Sequence, residues 1–202
     1  MAANDNNPHQ ILCFGEVLWD CFPEGNFPGG APLNVAIHLK KQGFEVGMLS
    51  RVGDDDFGED IKKFIQEKGL SSGLIQADPS HPTGKVLVDA SDKSNVKYDI
   101  IYPSSWDFIE IPEQGSQVSP YDVIVYGSLA ARNRSSRRSL YKLIEQPRFK
   151  VFDVNLRPPH YSKEVVEHLL VESNMVKMNQ EEFDLICGWS QVKGSKEGRF
   201  QY

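Results

Sequence analysis

The spacing of apolar and polar positions along the chain changes several times, and each change marks an element. Ile11 to Phe14 is a short apolar run stopped by Gly15, which reads as a buried strand. Pro32 to Lys41 has helical character. Pro32 suits a first helical position, and Gly43 stands where a C-terminal glycine belongs. Val46 to Val52 reads as a strand. Phe57 to Lys68 reads as an amphipathic helix with Ile61, Phe64 and Ile65 on one face and Gly69 as its stop. The pattern then loses its helices. Residues 84–89 and 96–101 look like two strands joined by the turn residues Ser91 to Asn95. With no helix between them the two strands are antiparallel and stand outside the main sheet. Ser104 to Ser119 reads as a loop with a helical turn near Trp106.

Regular alternation then resumes. Val123 to Tyr126 is a strand, Ser136 to Glu145 a helix and Lys150 to Val154 a strand. Ser162 to Ser173 is a helix, Met175 to Met178 a short strand and Gln180 to Cys187 a short helix. This order predicts an α/β fold, a Rossmann-like and mostly parallel sheet with helices on both faces. No internal repeat is visible. Residues 188–202 are polar and lack a clear period.

Composition sharpens the class. The chain has 202 residues, 40% hydrophobic and 25% charged, enough to bury a sizeable core in a single domain. A net charge of −6 and a sequence pI near 5.4 argue against non-specific nucleic-acid binding. Cys13, Cys21 and Cys187 have no metal-ligand spacing and read as reduced thiols. Met1 to Gln10 carries no apolar signal-peptide core. No apolar run reaches the ~20 residues of a membrane helix. The expectation is a cytoplasmic protein with no membrane partner.

In an open parallel sheet, ligands bind beyond the carboxyl ends of the strands, and the distinctive polar residues fall there. Asp20, in Gly15-Glu16-Val17-Leu18-Trp19-Asp20, can accept from ligand hydroxyls, although its position alone reads as a solvated turn carboxylate. Gly29-Gly30-Ala31-Pro32-Leu33-Asn34-Val35-Ala36 puts two residues without side chains before a helix and a carboxamide in its first turn. Glycines let backbone approach a ligand, a helix start presents free N–H groups, and a carboxamide both donates and accepts. A tight turn with a satisfied asparagine fits the residues equally well. Asp54, Asp55 and Asp56 read as a helix start favoured by the helix dipole. The glycine of an EF-hand loop is replaced there by Glu59, which excludes calcium.

Asp153, Asn155 and Arg157 alternate after a buried strand and so share one side, where an arginine can pair with phosphate. Asn179 and Glu182 are either an N-cap with first-turn glutamates or oxygen ligands for magnesium. Thr83-Gly84-Lys85 is not a P-loop, since Pro79 stands at the required glycine, and there is no GxGxxG. The basic run Arg132 to Arg138 has no interleaved aromatics and reads as a solvated helix start.

Taken in order, GGAPLNVAIHLKKQG (29–43), SRVGDDDFGEDI (50–61), DVNLRP (153–158) and NQEE (179–182) resemble the ribokinase-like sugar kinases, the PfkB carbohydrate kinase family, and its fructokinases above all. The resemblance runs from Ile11 to about Trp189. It implies a ribokinase-like domain over residues 11–189 with a small antiparallel β lid, built from elements near 17–27 and the hairpin at 83–102, and a polar tail over 190–202. It implies transfer of the ATP γ-phosphoryl group to a sugar hydroxyl, fructose being the expected sugar. Asp20, Gly29, Gly30 and Asn34 would hold the sugar. Asn179 and Glu182 would organise magnesium, directly or through water, and Arg157 would lie near the transferred phosphate. A homodimer through the lid is a further implication.

The family's Gly-Ala-Gly-Asp segment, which carries the catalytic aspartate, does not occur in the sequence. Gly53-Asp54 is its only Gly-Asp pair. The resemblance therefore implies a fold lacking its C-terminal part and a chain with no assignable general base. The expectations are poor phosphorylation by the chain alone and an apolar sheet edge left open. A non-catalytic sugar-binding remnant and a nucleoside or other sugar kinase are the alternatives.

Overall fold

A computed structural model describes residues 10–89, 97–111 and 121–189. In chain order its strands are β1 (Gln10–Phe14), β2 (Leu18–Phe22), β3 (Gly25–Gly29), β4 (Glu45–Gly53), β5 (Ile75–Asp78), β6 (Gly84–Asp89), β7 (Lys97–Ile100), β8 (Val123–Gly127), β9 (Phe149–Asp153) and β10 (Met175–Lys177). Its α-helices are α1 (Ala31–Lys41), α2 (Asp56–Glu67), α3 (Arg134–Leu143), α4 (Lys163–Glu172) and α5 (Gln180–Trp189).

β1 shows why two helical layers are needed. Ile11 and Cys13 enter one apolar cluster, Leu12 and Phe14 another, because successive side chains leave opposite faces of a strand. On the first face α1 and α2 supply Leu33, Ala36, Ile37, Ile61 and Ile65. On the second, α3 and α4 supply Leu140, Leu143, Val166 and Leu169 against Tyr126 and Phe152. The six-stranded sheet has the order β10-β9-β8-β1-β4-β5, and every pairing in it is parallel. This is the layered α/β architecture expected.

A second sheet has the order β3-β2-β6-β7. The expected hairpin is present as antiparallel β6–β7, and β2–β3 forms another. The first strands of the two hairpins run parallel, so this sheet is mixed rather than antiparallel. The direction follows from topology, since the chain re-enters at β6 from the same end as at β2. The turn expected at 91–95, residues 112–119 of the expected loop and the 190–202 tail lie outside the described residues.

Two further differences have local causes. β5 was not anticipated, since Ile75-Gln76-Ala77-Asp78 is too short to show a period. α3 begins at Arg134, ahead of the expected Ser136, because Asn133 Oδ1 caps it by accepting the Ser135 N–H at 2.8 Å.

The two sheets are tied by Asp55. Its Oδ1 accepts from Thr83 Oγ1 at 2.6 Å and from the Gly58 N–H at 2.8 Å, and its Oδ2 accepts the Thr83 N–H at 2.9 Å. Thr83 Oγ1 in turn accepts the Gly53 N–H at 2.9 Å. One carboxylate therefore caps α2 and fixes the entry to β6 against the end of β4. Beside it, Trp19 Nε1 donates to the Phe57 carbonyl at 3.0 Å, and Lys85 Nζ lies 3.6 Å over the Phe57 ring.

Burial pushes the Asp55 carboxyl up, but the hydrogen bonds from Thr83 and Gly58 outweigh it and hold the group below its usual value of 3.8. The bonds therefore stabilise the fold above that pH, and the contribution is lost as pH falls through the lower folded value. Asp55→Ala is expected to cost about 2 kcal/mol at neutral pH, the gap from wild type narrowing in acid. Urea unfolding of both proteins at several pH values measures this, and a neutral-pH loss near zero would contradict the tie.

Candidate active site

β1 pairs with β4 on one side and β8 on the other, so the chain winds away from β1 in both directions. The crevice at the carboxyl ends of such neighbours is where open α/β sheets bind ligands. The chain leaves β1 at Gly15, passes Glu16, and enters β2, which carries Asp20. β3 then returns antiparallel and ends at Gly29.

The close approach explains the glycine pair. A Cβ on Gly29 would overlap the Asp20 Oδ2, and a Cβ on Gly30 would overlap the Glu16 carbonyl oxygen. Gly30 also has φ of 117°, a conformation that side chains disfavour. α1 starts immediately afterwards. The Ala31 N–H donates to Glu16 Oε1 at 3.3 Å, and the Asn34 N–H to the Gly30 carbonyl at 3.0 Å. The Asn34 side chain is exposed at this helix start.

Glu16 was not anticipated as a site residue. It is 2% exposed, and its Oε2 has no hydrogen-bond partner among the described residues. Burial raises its pKa to about 7, against backbone N–H groups and the Arg157 charge that lower it. Burial likewise raises the half-buried Asp20, and Arg157 again works against it. The structure thus brings Asp20, Gly29, Gly30 and Arg157 together around Glu16. The only sequence signal for Glu16 was an acidic residue directly after a strand-ending glycine.

Along Asp153-Val154-Asn155-Leu156-Arg157, Val154 and Leu156 are buried while the alternate residues are not, as the alternation predicted. Asn155 turns the chain at φ 39°, a left-handed conformation that asparagine tolerates. Asp153 pairs with Lys177 Nζ at 3.0 Å. Asn179 and Glu182 form a reciprocal cap. Asn179 Oδ1 accepts the Glu182 N–H at 2.8 Å, and Glu182 Oε2 accepts the Asn179 N–H at 2.9 Å. Glu182 Oε1 also accepts the Leu156 N–H at 2.8 Å, so the NQEE motif buttresses the loop that presents Arg157. Among the described residues no group of three or more His, Cys, Asp or Glu side chains could hold a metal. No helix there is long and apolar enough to cross a membrane.

Comparison with known proteins names the family. The pfkB family carbohydrate kinase pattern matches residues 5–198, and the chain belongs to that family. It is 28% identical to the fructokinase of Escherichia coli over 197 residues, 90% of this chain and 64% of that protein. The apo fructokinase of Vibrio cholerae O395 superposes with a TM-score of 0.81 at 25% identity, covering 96% of this chain and 70% of that one. The same fructokinase bound to fructose, ADP and calcium gives a TM-score of 0.80 at 24% identity, covering 96% and 66%. The chain therefore spans less than two thirds of the length of the curated Escherichia coli relative.

Glu16 yields a pH prediction. An unfolded glutamate ionises near 4.5 and the folded one near 7, so the native state holds the extra proton between those values. The stabilising effect is complete below 4.5 and is lost as pH rises to about 7. Glu16→Gln cannot ionise, so relative to wild type it is expected to gain about 3 kcal/mol between pH 4 and pH 8. Denaturant midpoints measured across that range check it, and a constant difference would be inconsistent with a buried carboxyl that titrates late.

Proposed function

We propose that this chain carries the sugar-binding half of a fructokinase-like reaction, transfer of the ATP γ-phosphoryl group to a hydroxyl of fructose. The observation that carries the reading is the packing of Gly29 against the Asp20 carboxylate, with Arg157 acting on the same group. Asp20 and Asn34 take sugar hydroxyls, one as acceptor and the other as donor or acceptor. The glycines leave room for the ring. Arg157, exposed at the end of its loop, faces the developing charge of the transferred phosphoryl group, the kind of neutralisation on which this chemistry depends.

Magnesium supplies further charge neutralisation when bound with ATP. Both Glu182 oxygens already accept backbone N–H groups, so the fit of Asn179 and Glu182 to the ion is through water. Their direct action is to hold the Leu156–Arg157 loop. A homodimer through the small sheet accords with the exposure of Phe27 and Tyr98. The acidic chain, whose cysteines form no disulfide among the described residues, suits the cytoplasm.

The sequence has no Gly-Ala-Gly-Asp segment, and no residue is assigned the role of general base. Binding without turnover is therefore the expected behaviour of these 202 residues. In a thermal-shift titration fructose is expected to raise the melting temperature of the wild type. Asp20→Asn and Asn34→Ala should each weaken binding roughly tenfold, and coupled ADP release with Mg-ATP should not depend on fructose. Fructose-dependent ADP release would overturn the reading of the missing base. Absence of any fructose shift, with a nucleoside shifting the melting temperature instead, would move the assignment to a nucleoside kinase scaffold.

A further inference from the structure

Beside the candidate sugar cleft lies a cavity of about 270 Å³, walled by Tyr102 and Tyr161 and lined by Ser128, Arg132, Arg137 and His160. Ser128 directly follows the end of β8, and the His160 N–H donates to the Arg157 carbonyl at 2.7 Å. The cavity thus adjoins the loops that form the cleft. Among the described residues no carboxylate lines it.

Its polar groups are unevenly satisfied. Arg132 is held rigidly, with Nε 2.7 Å from Asp107 Oδ1 and Nη2 2.8 Å from both Asp107 Oδ2 and the Ile101 carbonyl. Its guanidinium carbon lies 3.9 Å from the centre of the Trp106 ring and 4.9 Å from that of Tyr102. The Arg132 side chain is 3% exposed, yet its Nη1 has no partner among the described residues. The Ser128 hydroxyl is also buried and unpartnered. Among the described residues Arg137 donates once, to the Ala131 carbonyl at 3.1 Å, and no carboxylate there neutralises it. Ser162, which caps the N-terminus of α4, completes the rim.

A buried cationic donor without an acceptor is costly. A guanidinium fork, a hydroxyl and a helix start together match the oxygens of a carboxylate or phosphate. We propose that this cavity binds a small oxyanion, a carboxylate or phosphate group, through Arg137, Arg132 and Ser128. The oxyanion either is carried on the sugar itself or is a free anion that occupies the cavity beside it. Only the first of these sources rests on the sugar-kinase reading.

The test uses calorimetric titration of the full chain, Arg137→Gln and Ser128→Ala with inorganic phosphate, fructose and fructose 6-phosphate. Ser128→Ala removes no side-chain hydrogen bond among the described residues, so it remains informative if Arg137→Gln folds poorly. Phosphate is expected to bind the wild type and to lose about tenfold or more in affinity in Arg137→Gln, with a smaller loss in Ser128→Ala. If the acid group rides on the sugar, fructose 6-phosphate binds more tightly than either fructose or phosphate, and Arg137→Gln reduces it to the affinity of fructose. If the anion is free, phosphate binds equally well with and without saturating fructose, and fructose 6-phosphate gains nothing over fructose. No phosphate binding to the wild type, or equal binding to wild type and both variants, overturns the proposal. Loss of the fructose response alone, with phosphate binding intact, counts only against the sugar reading.

Discussion

The space left by two missing side chains sets the geometry of this molecule's candidate site. The α-carbon of Gly30 approaches the Glu16 carbonyl, and that of Gly29 approaches the Asp20 carboxylate, with no room for a methyl group at either position. These contacts press the end of β3 against the loop that leaves β1. They fix where α1 begins, and the Ala31 N–H reaches Glu16 because of it. A helix start, an acidic strand residue and a buried carboxyl are thereby brought to one place at the switch point of the main sheet. That is the position where an open parallel sheet offers a crevice. The small sheet is carried along, because Asp20 and Gly29 belong to its strands.

Two polar clusters hold the two sheets together. Asp55 is saturated by N–H and O–H donors from Gly58 and Thr83. Arg132 and Asp107 form a pair with side chains 3% and 0% exposed, and Arg132 also takes the Ile101 carbonyl just beyond β7. Desolvating such a pair costs much of what the attraction returns. Its value here is directional, since a bidentate fork stacked on Trp106 admits only one placement of the β7 exit relative to α3. Asp107 completes the arrangement by accepting the Ser104 N–H at 2.9 Å.

Elements with a long, regular period were legible in the residues. α2, with Ile61 and Ile65 buried one turn apart, lies within one residue of the span that its pattern predicts. β5 escaped because four residues cannot display a period, and the parallel pairing of β2 with β6 is a property of chain path that no local stretch encodes. The site divides in the same way. Glycines before a helix and polar residues after strands are visible by type and position, but position alone made Asp20 a solvated turn carboxylate, and only the family resemblance grouped it with Gly29, Gly30 and Arg157. The burial of Glu16 and Arg132 was not legible, because a charged residue is normally exposed and only packing reveals the exception. The basic run was read as a solvated helix start. Arg134 and Arg138 are indeed exposed, while Arg132 lies at its inner end, against Trp106.

Glu16 connects the fold's constraint to the site's chemistry. Its carbonyl is the reason Gly30 carries no side chain, and its carboxyl lies beside the first N–H of α1 under the influence of Arg157. With a pKa near 7, the group is divided between acid and carboxylate at neutral pH. As the acid it offers a proton from the oxygen that now has no partner. As the carboxylate it draws on the same Arg157 guanidinium that acts on Asp20. One arginine thus acts on two carboxyls of different burial. The glycine that shapes the end of β3 therefore also sets where this buried acid meets the start of α1.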